Sequence, residues 1–368
     1  MFPWPDRRII DLFQVSHPIL QAPMAGASGV ALALAVSRAG GLGSLPCALL
    51  TPEAVLKQAA AYREGTAGPL NLNFFCHPPT LPDEAEQARW RERLTPYYLE
   101  LGLAPLAPVA AAGRAPFDAA FCAVVEQVRP EVVSFHFGLP APALLDRVKA
   151  AGARVVSSAT TVAEAVWLAH RGCDAVIAMG YEAGGHRGSF LTADMSAQPG
   201  LMALLPQIVD AVDVPVIAAG GIADGRGIAA AFALGAAGVQ IGTAYLPCPE
   251  SLIPEFHRAA LASARDDGTA LTNLFTGRPA RGIINRLMTE VGPLSPDAPP
   301  FPHAAAALGP LKAATSTPED FTPLWAGQAA ALAKPMNAET LTGQLAAEGL
   351  ACLARLSGRL GPGESPAS

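Results

Sequence analysis

Val216-Ile217-Ala218-Ala219-Gly220-Gly221-Ile222-Ala223-Asp224-Gly225-Arg226-Gly227, followed shortly by Val239-Gln240-Ile241-Gly242-Thr243, is the stretch from which the fold is read. Each half begins as a short, mostly apolar run and ends in glycine. A half-buried strand alternates apolar and polar residues, whereas a parallel strand covered by helices on both faces is apolar nearly throughout. Glycine at the strand end permits a tight turn and a close approach of backbone to a ligand. Between the two runs, Gly227 to Leu234 reads as a short helix. The stretch is therefore two consecutive strand–helix units.

The same unit recurs upstream. Runs at Pro18 to Ala22, Leu42 to Leu45, Leu70 to Phe75, Val132 to Phe137, Arg154 to Ser158 and Ala175 to Met179 bring the strands to eight. Helical segments stand between them, among them Ser28 to Ala39, Phe117 to Gln127, Ala141 to Ala151, Thr161 to Arg171 and Leu201 to Val212. Another opens at Thr51-Pro52-Glu53, where Thr51 can cap and Pro52 fits the first turn. Eight such units predict an α/β fold, a closed (β/α)8 TIM barrel over residues 15–245, with an open doubly wound sheet as the rival. An insertion-like segment at 77–116 departs from the rhythm; it is Pro-rich, then charged and helical from Glu84 to about Glu100, then rich in Ala and Pro. Residues 246–360 are expected to form a mainly helical lid or packing region. It comprises a helix at Glu250 to Ala264, a Pro-rich traverse at 293–324, two further helical segments in 325–357 and a frayed tail.

Composition narrows the function. The chain has 368 residues, 51 % hydrophobic and 15 % charged, too apolar for a disordered protein. Its net charge of -6 argues against a nucleic-acid partner, which selects for a basic face. Six cysteines without a CxxC pair read as reduced, buried thiols. The N-terminus lacks the apolar core of a signal peptide. Two stretches free of Asp, Glu, Lys and Arg, 12–37 and 227–249, are broken by glycine and polar residues and fit strand–helix pieces better than membrane spans. The expectation is a cytoplasmic protein without a membrane partner.

A barrel of this kind carries its chemistry at the C-terminal ends of the strands, and frequently holds a phosphate in the last two loops. Ala219-Gly220-Gly221 and Gly242-Thr243 stand there, although tight turns alone would also use glycine. The turn Ala25-Gly26-Ala27-Ser28-Gly29 is not a GxGxxG, so a Rossmann site is unsupported. The sixth strand runs into Met179-Gly180-Tyr181-Glu182-Ala183-Gly184-Gly185-His186-Arg187-Gly188. A loop histidine such as His186 can serve as a general base, with Glu182 to orient it, or can simply sit at the surface. His77, His136, His170, His257 and His303 show no HxH or HExxH spacing, so no metal site is expected. His136, on the fourth strand, could face the mouth, though packing or a backbone hydrogen bond is the commoner role. Asn73 and Gln21 are amides entering apolar strands, each either facing a heterocycle or joining an internal network. Met24 offers an apolar contact to a planar ring or plain turn packing.

These elements carry a family resemblance. Gln21 to Gly26, Asn71-Leu72-Asn73-Phe74-Phe75-Cys76-His77, the Gly180 to Gly188 loop, Ala219 to Gly227 with Gly242-Thr243, and Leu324-Trp325-Ala326-Gly327-Gln328-Ala329 resemble the nitronate monooxygenases, formerly called 2-nitropropane dioxygenases. The resemblance spans about residues 15–336, and its Glu-Ala-Gly-Gly-His-Arg-Gly element is its most specific part. It implies a TIM-like barrel with a helical lid, non-covalent FMN and no metal. Met24 and Asn73 would lie by the flavin, and Gly180 and Gly185 would line it. Ala219, Gly220, Gly221, Gly242 and Thr243 would hold its phosphate, and Gln328 would approach from the C-terminal region. His186 matches the catalytic histidine, taking the α-proton of a nitroalkane or positioning a nitronate. Oxidation by O2 would then yield a carbonyl compound and nitrite. Asn71 stands where many relatives have glycine, and residues 280–340 contain no tyrosine, which implies a less aromatic substrate side. Two alternatives stay open, another FMN-barrel oxidoreductase using NAD(P)H, of quinone or enoyl-thioester reductase type, and a flavin-binding protein without turnover. The Pro-rich segment after the barrel either wraps over its mouth or forms a homodimer.

Overall fold

The structure is a computed structural model and describes residues 3–104 and 115–358. In chain order the strands are β1 (Ile19–Gln21), β2 (Gly43–Pro46), β3 (Leu70–Phe75), β4 (Val132–His136), β5 (Arg154–Ala159), β6 (Ala175–Met179), β7 (Gly185–His186), β8 (Val216–Ala219), β9 (Gly238–Ile241), β10 (Thr269–Thr272) and β11 (Ala280–Ile283). All but β7, β10 and β11 are parallel and form one eight-stranded sheet in the order β1-β9-β8-β6-β5-β4-β3-β2. A parallel bridge between Leu20 and Leu42 brings its ends together. This is the barrel expected from the sequence.

The strands are apolar because both faces are covered. Ile19, Leu45, Leu72, Val133, Val155, Val176, Val216 and Val239 face outward into the helical layer. Leu20, Leu42, Val132, Val156, Ile177 and Ile217 face inward, where Ile9 and Phe13 of α1 (Arg8–Phe13) pack with them. The seam between β1 and β2 is short of ladder bonds, and Gln21 supplies one from its side chain. Its backbone N–H donates to Leu42 O at 3.0 Å, while Oε1 accepts from Ser44 N at 2.9 Å. Gln21 thus belongs to an internal network. So does Asn71, whose Nδ2 donates to Ser44 Oγ at 3.0 Å.

The helices around the barrel are α2 (Val30–Arg38), α3 (Pro52–Gly65), α5 (Ala119–Val128), α6 (Pro142–Ala150), α7 (Val162–His170), α8 (Leu201–Ala211) and α9 (Gly225–Ala233), with α4 (Glu84–Glu100) in the excursion after β3. Thr51 caps α3 as expected, accepting from Ala54 N with Pro52 in the first turn. After β9 the chain runs through α10 (Glu255–Ala262), α11 (Arg286–Val291) and α12 (Gly309–Ala314) before α13 (Ala338–Gly358). α13 packs against both α9 and α2. It therefore fills the place of the eighth barrel helix. Tyr245 Oη and Thr342 Oγ1 lie 2.8 Å apart across this contact, and Glu250 accepts from Ala338 N at its start.

A second, smaller core joins α4 to the region after β9. Trp90, Leu94, Tyr97 and Tyr98 pack with Leu274, Phe275, Leu287, Met288, Ala304 and Phe321. Trp90 Nε1 donates to Ala304 O at 3.1 Å, and Tyr98 Oη donates to Ala307 O at 2.6 Å. The excursion and the C-terminal region are thus one cap. It also carries strand structure that the sequence did not signal, the antiparallel sheet β10-β11-β7, in which Ala280 pairs with His186. The Ala/Pro-rich part of the excursion and the tail at 361–368 lie outside the described residues.

Candidate active site at the C-terminal mouth of the barrel

A cavity of about 380 Å³ opens at the C-terminal ends of the strands. That is within the range of small-molecule sites. Of the residues singled out in the sequence, Met24, Asn73, Gly185, His186, Ala219, Gly220, Gly221, Gly242 and Thr243 all line it. Gly180 and Gln328 do not. Gly180 is buried behind the wall, where a Cβ would stand 2.3 Å from Glu182 Oε2 and 2.5 Å from Leu201 Cβ. Gln328 is exposed and contributes its backbone N–H to Glu182 O at 2.9 Å. Gly180 therefore permits close packing, and Gln328 anchors a loop through its main chain.

His186 sits on β7, pinned to the cap by β11. Its Nε2 lies 2.9 Å from Thr276 Oγ1. The rings of Phe301, Trp325, Phe137 and Phe75 surround it at centroid distances of 5.4, 5.6, 6.1 and 6.2 Å. The backbone carbonyl of His186 accepts from His136 Nε2 at 3.1 Å, and His136 Nδ1 lies 2.7 Å from Ser158 Oγ. A carbonyl only accepts, so His136 carries its proton on Nε2, and the Ser158 hydroxyl donates to Nδ1. Burial pushes His136 down to about 4, so it is neutral at pH 7. The histidine on the fourth strand thus makes the backbone hydrogen bond anticipated for it. Gly188 must be glycine, because a Cβ there would be 2.5 Å from Ser158 Oγ and 2.9 Å from His136 Cε1.

The neighbours of His186 in sequence hold the loop. Glu182 accepts from Leu201 N with both oxygens, at 2.9 and 2.8 Å, and so caps the first turn of α8. Its carboxylate is committed there rather than to orienting His186. Arg187 is fully buried and donates to Met179 O at 3.0 Å, to Gly180 O and to Gln198 Oε1 at 2.8 Å. Burial lowers it to about 10, which leaves it charged at neutral pH. Glu164, also fully buried, accepts from Thr160 N and Oγ1 through one oxygen and from Phe190 N and Leu191 N through the other. It fixes the chain just beyond Gly188.

The glycine turns have their own geometry. Gly220 and Gly221 take φ of +111° and +70°, left-handed values that favour glycine. A Cβ at Gly220 would press on Ala183 N at 3.0 Å. Asp224 caps α9 directly after the turn by accepting from Arg226 N. Thr243 Oγ1 accepts from Gly327 N at 2.9 Å, tying the 324–329 segment to the barrel. On the facing wall Asn73 Nδ2 donates to Ser134 Oγ at 3.0 Å and Ser134 O at 3.2 Å.

Several lining residues were not anticipated. Ser134 and Ser158 occupy inward positions of strands, which their alternation signals once a barrel is assumed. Trp325 and His257 come from the region after the barrel; Trp325 stands in the 324–329 motif, whereas no local pattern marks His257. Among the described residues, no three of His, Cys, Asp and Glu come together as a metal site, and no helix is long and apolar enough to cross a membrane. All six cysteines are free thiols.

A closed barrel with this cavity at its mouth is the architecture of the TIM-barrel oxidoreductases. A family model for nitronate monooxygenase matches residues 6–348, and the chain belongs to that family of enzymes. It is 42 % identical over 350 residues to a nitronate monooxygenase of Pseudomonas aeruginosa, covering 93 % of this chain and 98 % of that one. A solved structure of nitroalkane oxidase from Streptomyces ansochromogenes superposes with a TM-score of 0.86 at 38 % identity, covering 95 % of this chain and all of that one. FabK from Thermotoga maritima has a TM-score of 0.73 at 26 % identity, over 97 % of this chain and all of its own.

Proposed function

We propose that the cavity holds FMN and that the chain uses it, with dioxygen, to convert alkyl nitronates to a carbonyl compound and nitrite. The observation that carries this reading is that His186 and the two glycine turns line one cavity. The turns suit a phosphate: tandem left-handed glycines bring backbone close, and α9 follows with its N-terminus. Ala219, Gly220, Gly221, Gly242 and Thr243 would hold that group. Met24 and Asn73 would flank the ring system, the amide of Asn73 offering polar contact to a heterocycle edge. A Cβ at Gly185 would meet nothing within 4 Å, which leaves room for a planar ring. Bound flavin would supply the one-electron relay between a nitronate, which gives the electron up, and dioxygen, which takes it.

His186 is the proposed base. A neutral nitroalkane has an acidic α-carbon, and the imidazole takes that proton. An ionised nitronate needs no base, and there the ring positions it. Thr276 suits both states, because a hydroxyl donates to a bare nitrogen and accepts from a protonated one. The aromatic rings around His186 exclude water from the reacting carbon.

The likeness to FabK favours one second reading, reduction of the flavin by NAD(P)H. Anaerobic stopped-flow absorbance of the flavin-loaded protein separates the two. Flavin reduction by propionate 3-nitronate, with nitrite released on admitting oxygen, is the expected result. Full bleaching by NADPH or NADH with no response to nitronate would overturn the proposal in favour of the second reading.

A further inference from the structure

We propose that Thr276 is a positioning residue that fixes the tautomer of His186: its hydroxyl accepts from Nε2–H, so that Nδ1 is the nitrogen that takes the proton of a nitroalkane. This rests on the proposed role of His186 as base and deepens it. Two observations agree. Thr276 Oγ1 lies 2.9 Å from His186 Nε2 and 3.4 Å from the backbone carbonyl of Arg278. That carbonyl can only accept, and a hydroxyl has a single hydrogen to give. With that hydrogen on Arg278 O, Oγ1 meets Nε2 as an acceptor, and the neutral ring carries its proton on Nε2. The second observation is direction. Among the described residues His186 lines the cavity, and Thr276, which is 3 % exposed, does not. Nε2 therefore points to a group outside the cavity wall, and a proton arriving from a substrate carbon goes to the other nitrogen.

The turn that carries Thr276 is held on both sides. Gly277 N donates to Asn273 O at 2.8 Å. The Asn273 side chain is clamped to Ser295, Nδ2 donating to Ser295 O at 2.8 Å and Oδ1 accepting from Ser295 N at 2.9 Å. Gly277 takes φ +86°, and a Cβ there would stand 2.7 Å from Phe301 N, so the turn presses on the segment that brings the Phe301 ring to His186. When the substrate C–H bond breaks, its electron pair stays on the nitronate and its proton goes to Nδ1. The ring becomes an imidazolium, and the bond from Nε2–H to Thr276 becomes charge-assisted and stronger. Thr276 thus favours the protonated ring without touching the substrate. Among the described residues, the other titratable and charged groups around this aromatic cluster are three. His136 is neutral at pH 7, His77 meets the ring of Phe301 at 4.8 Å, and the Arg278 guanidinium stacks on Phe137 at 3.9 Å and donates to Ser189 O. They are common to every variant below, so a shift in His186 titration reads the Thr276 hydroxyl.

The first test is nitrogen NMR of the flavin-loaded wild type carrying isotope-labelled histidine, with the His186 signals identified by their loss in His186→Asn. At a pH where the ring is neutral, the expected result is a protonated Nε2 and an unprotonated Nδ1. The reverse tautomer would overturn the inference and leave the proposed function standing. The second test follows kcat/KM for nitroethane against pH in wild type, Thr276→Val and Thr276→Ser, with ethyl nitronate as the control. Loss of the acceptor in the Val variant is expected to lower nitroethane turnover by about tenfold and to move the His186 limb about one unit toward acid. Nitronate oxidation should fall much less. The Ser variant keeps the hydroxyl and should restore both the rate and the limb. A limb that moves toward alkali would mean that Thr276 donates to a bare Nε2, and an unchanged limb that it does not act on the ring; either result overturns the inference. Turnover of neither nitroethane nor its nitronate by the wild type would instead sink the proposed function, and the inference with it.

Discussion

His136 donates from Nε2 to the backbone carbonyl of His186 at 3.1 Å, so one half-buried neutral imidazole holds the main chain from which the other projects. The contact links the barrel wall to β7, the strand on which the cap's β11 pairs. His136 thus supports the main chain of His186 while itself lining the cavity.

Removing the proposed base should separate two substrates. In His186→Asn, kcat/KM for a neutral nitroalkane is expected to fall by about 10²-fold or more, the usual worth of general base catalysis. Turnover of the preformed nitronate should fall much less. Steady-state kinetics with both forms of one compound decide it, and equal losses would remove His186 from proton transfer.

Substitution in the glycine turn should cost flavin before it costs fold. Gly221→Val places a β-branched side chain at φ +70°, a strain of roughly 1–2 kcal/mol, and blocks the close approach of a phosphate. The expected outcome is a folded protein with little bound FMN, read from absorbance after gel filtration and from the circular dichroism of the same sample. Full flavin occupancy would reject this placement of the phosphate.

Glu164 should be among the more sensitive positions outside the cavity. Glu164→Ala leaves Thr160 N, Phe190 N and Leu191 N without their carboxylate and is expected to destabilise by roughly 3 kcal/mol or more. Glu164→Gln retains one acceptor oxygen and should lie between. Urea unfolding gives both values, and an Ala variant within about 0.5 kcal/mol of wild type would count against the anchor.

Acid should weaken the fold through buried histidine. His136 and His257 are each pushed by burial from 6.5 to about 4. Above pH 6.5 neither state is protonated and neither residue affects stability. As pH falls from 6.5 toward 4 the unfolded chain takes up protons that the native state refuses, so stability is lost through that window, by roughly 3 kcal/mol per histidine. The melting temperature, followed from pH 7 to 4.5, should therefore drop more steeply in wild type than in His136→Phe. Parallel curves would show that His136 titrates normally in the folded protein.

The barrel was legible because covered parallel strands leave a plain trace: Leu70 to Phe75 and Val216 to Ala219 appear in the structure at those bounds. Most residues of the cavity were legible too, since strand ends and glycine turns mark where the mouth must be. What escaped depends on contacts between distant segments. Gly185–His186 is too short to show a period, so its pairing with Ala280 and Arg281 leaves no local sign. Glu164 resembles any acidic residue in a helix's first turn, and only the folded chain brings Phe190 and Leu191 to it. Glu182 looked like a partner for His186 by proximity in sequence, yet the N-terminus of α8 claims it.

The eighth helix of the barrel is α13, and the whole stretch from 246 to 337 is threaded between it and the strand it follows. Synthesis from the N-terminus therefore delivers all eight strands while one side of the cylinder is still bare. The partner of His186 on β11 and the hydroxyl of Thr276 emerge later than the histidine itself. Completion of the cavity around His186 and closure of the apolar seam both wait on the last part of the chain. A prematurely terminated product would carry the 180–188 loop and most of the barrel, but neither Thr276, Phe301 and Trp325 beside His186 nor α13 over the apolar seam, and would present proteases with an open flank. The last part of the chain thus completes both the cavity and the helical wall of the barrel.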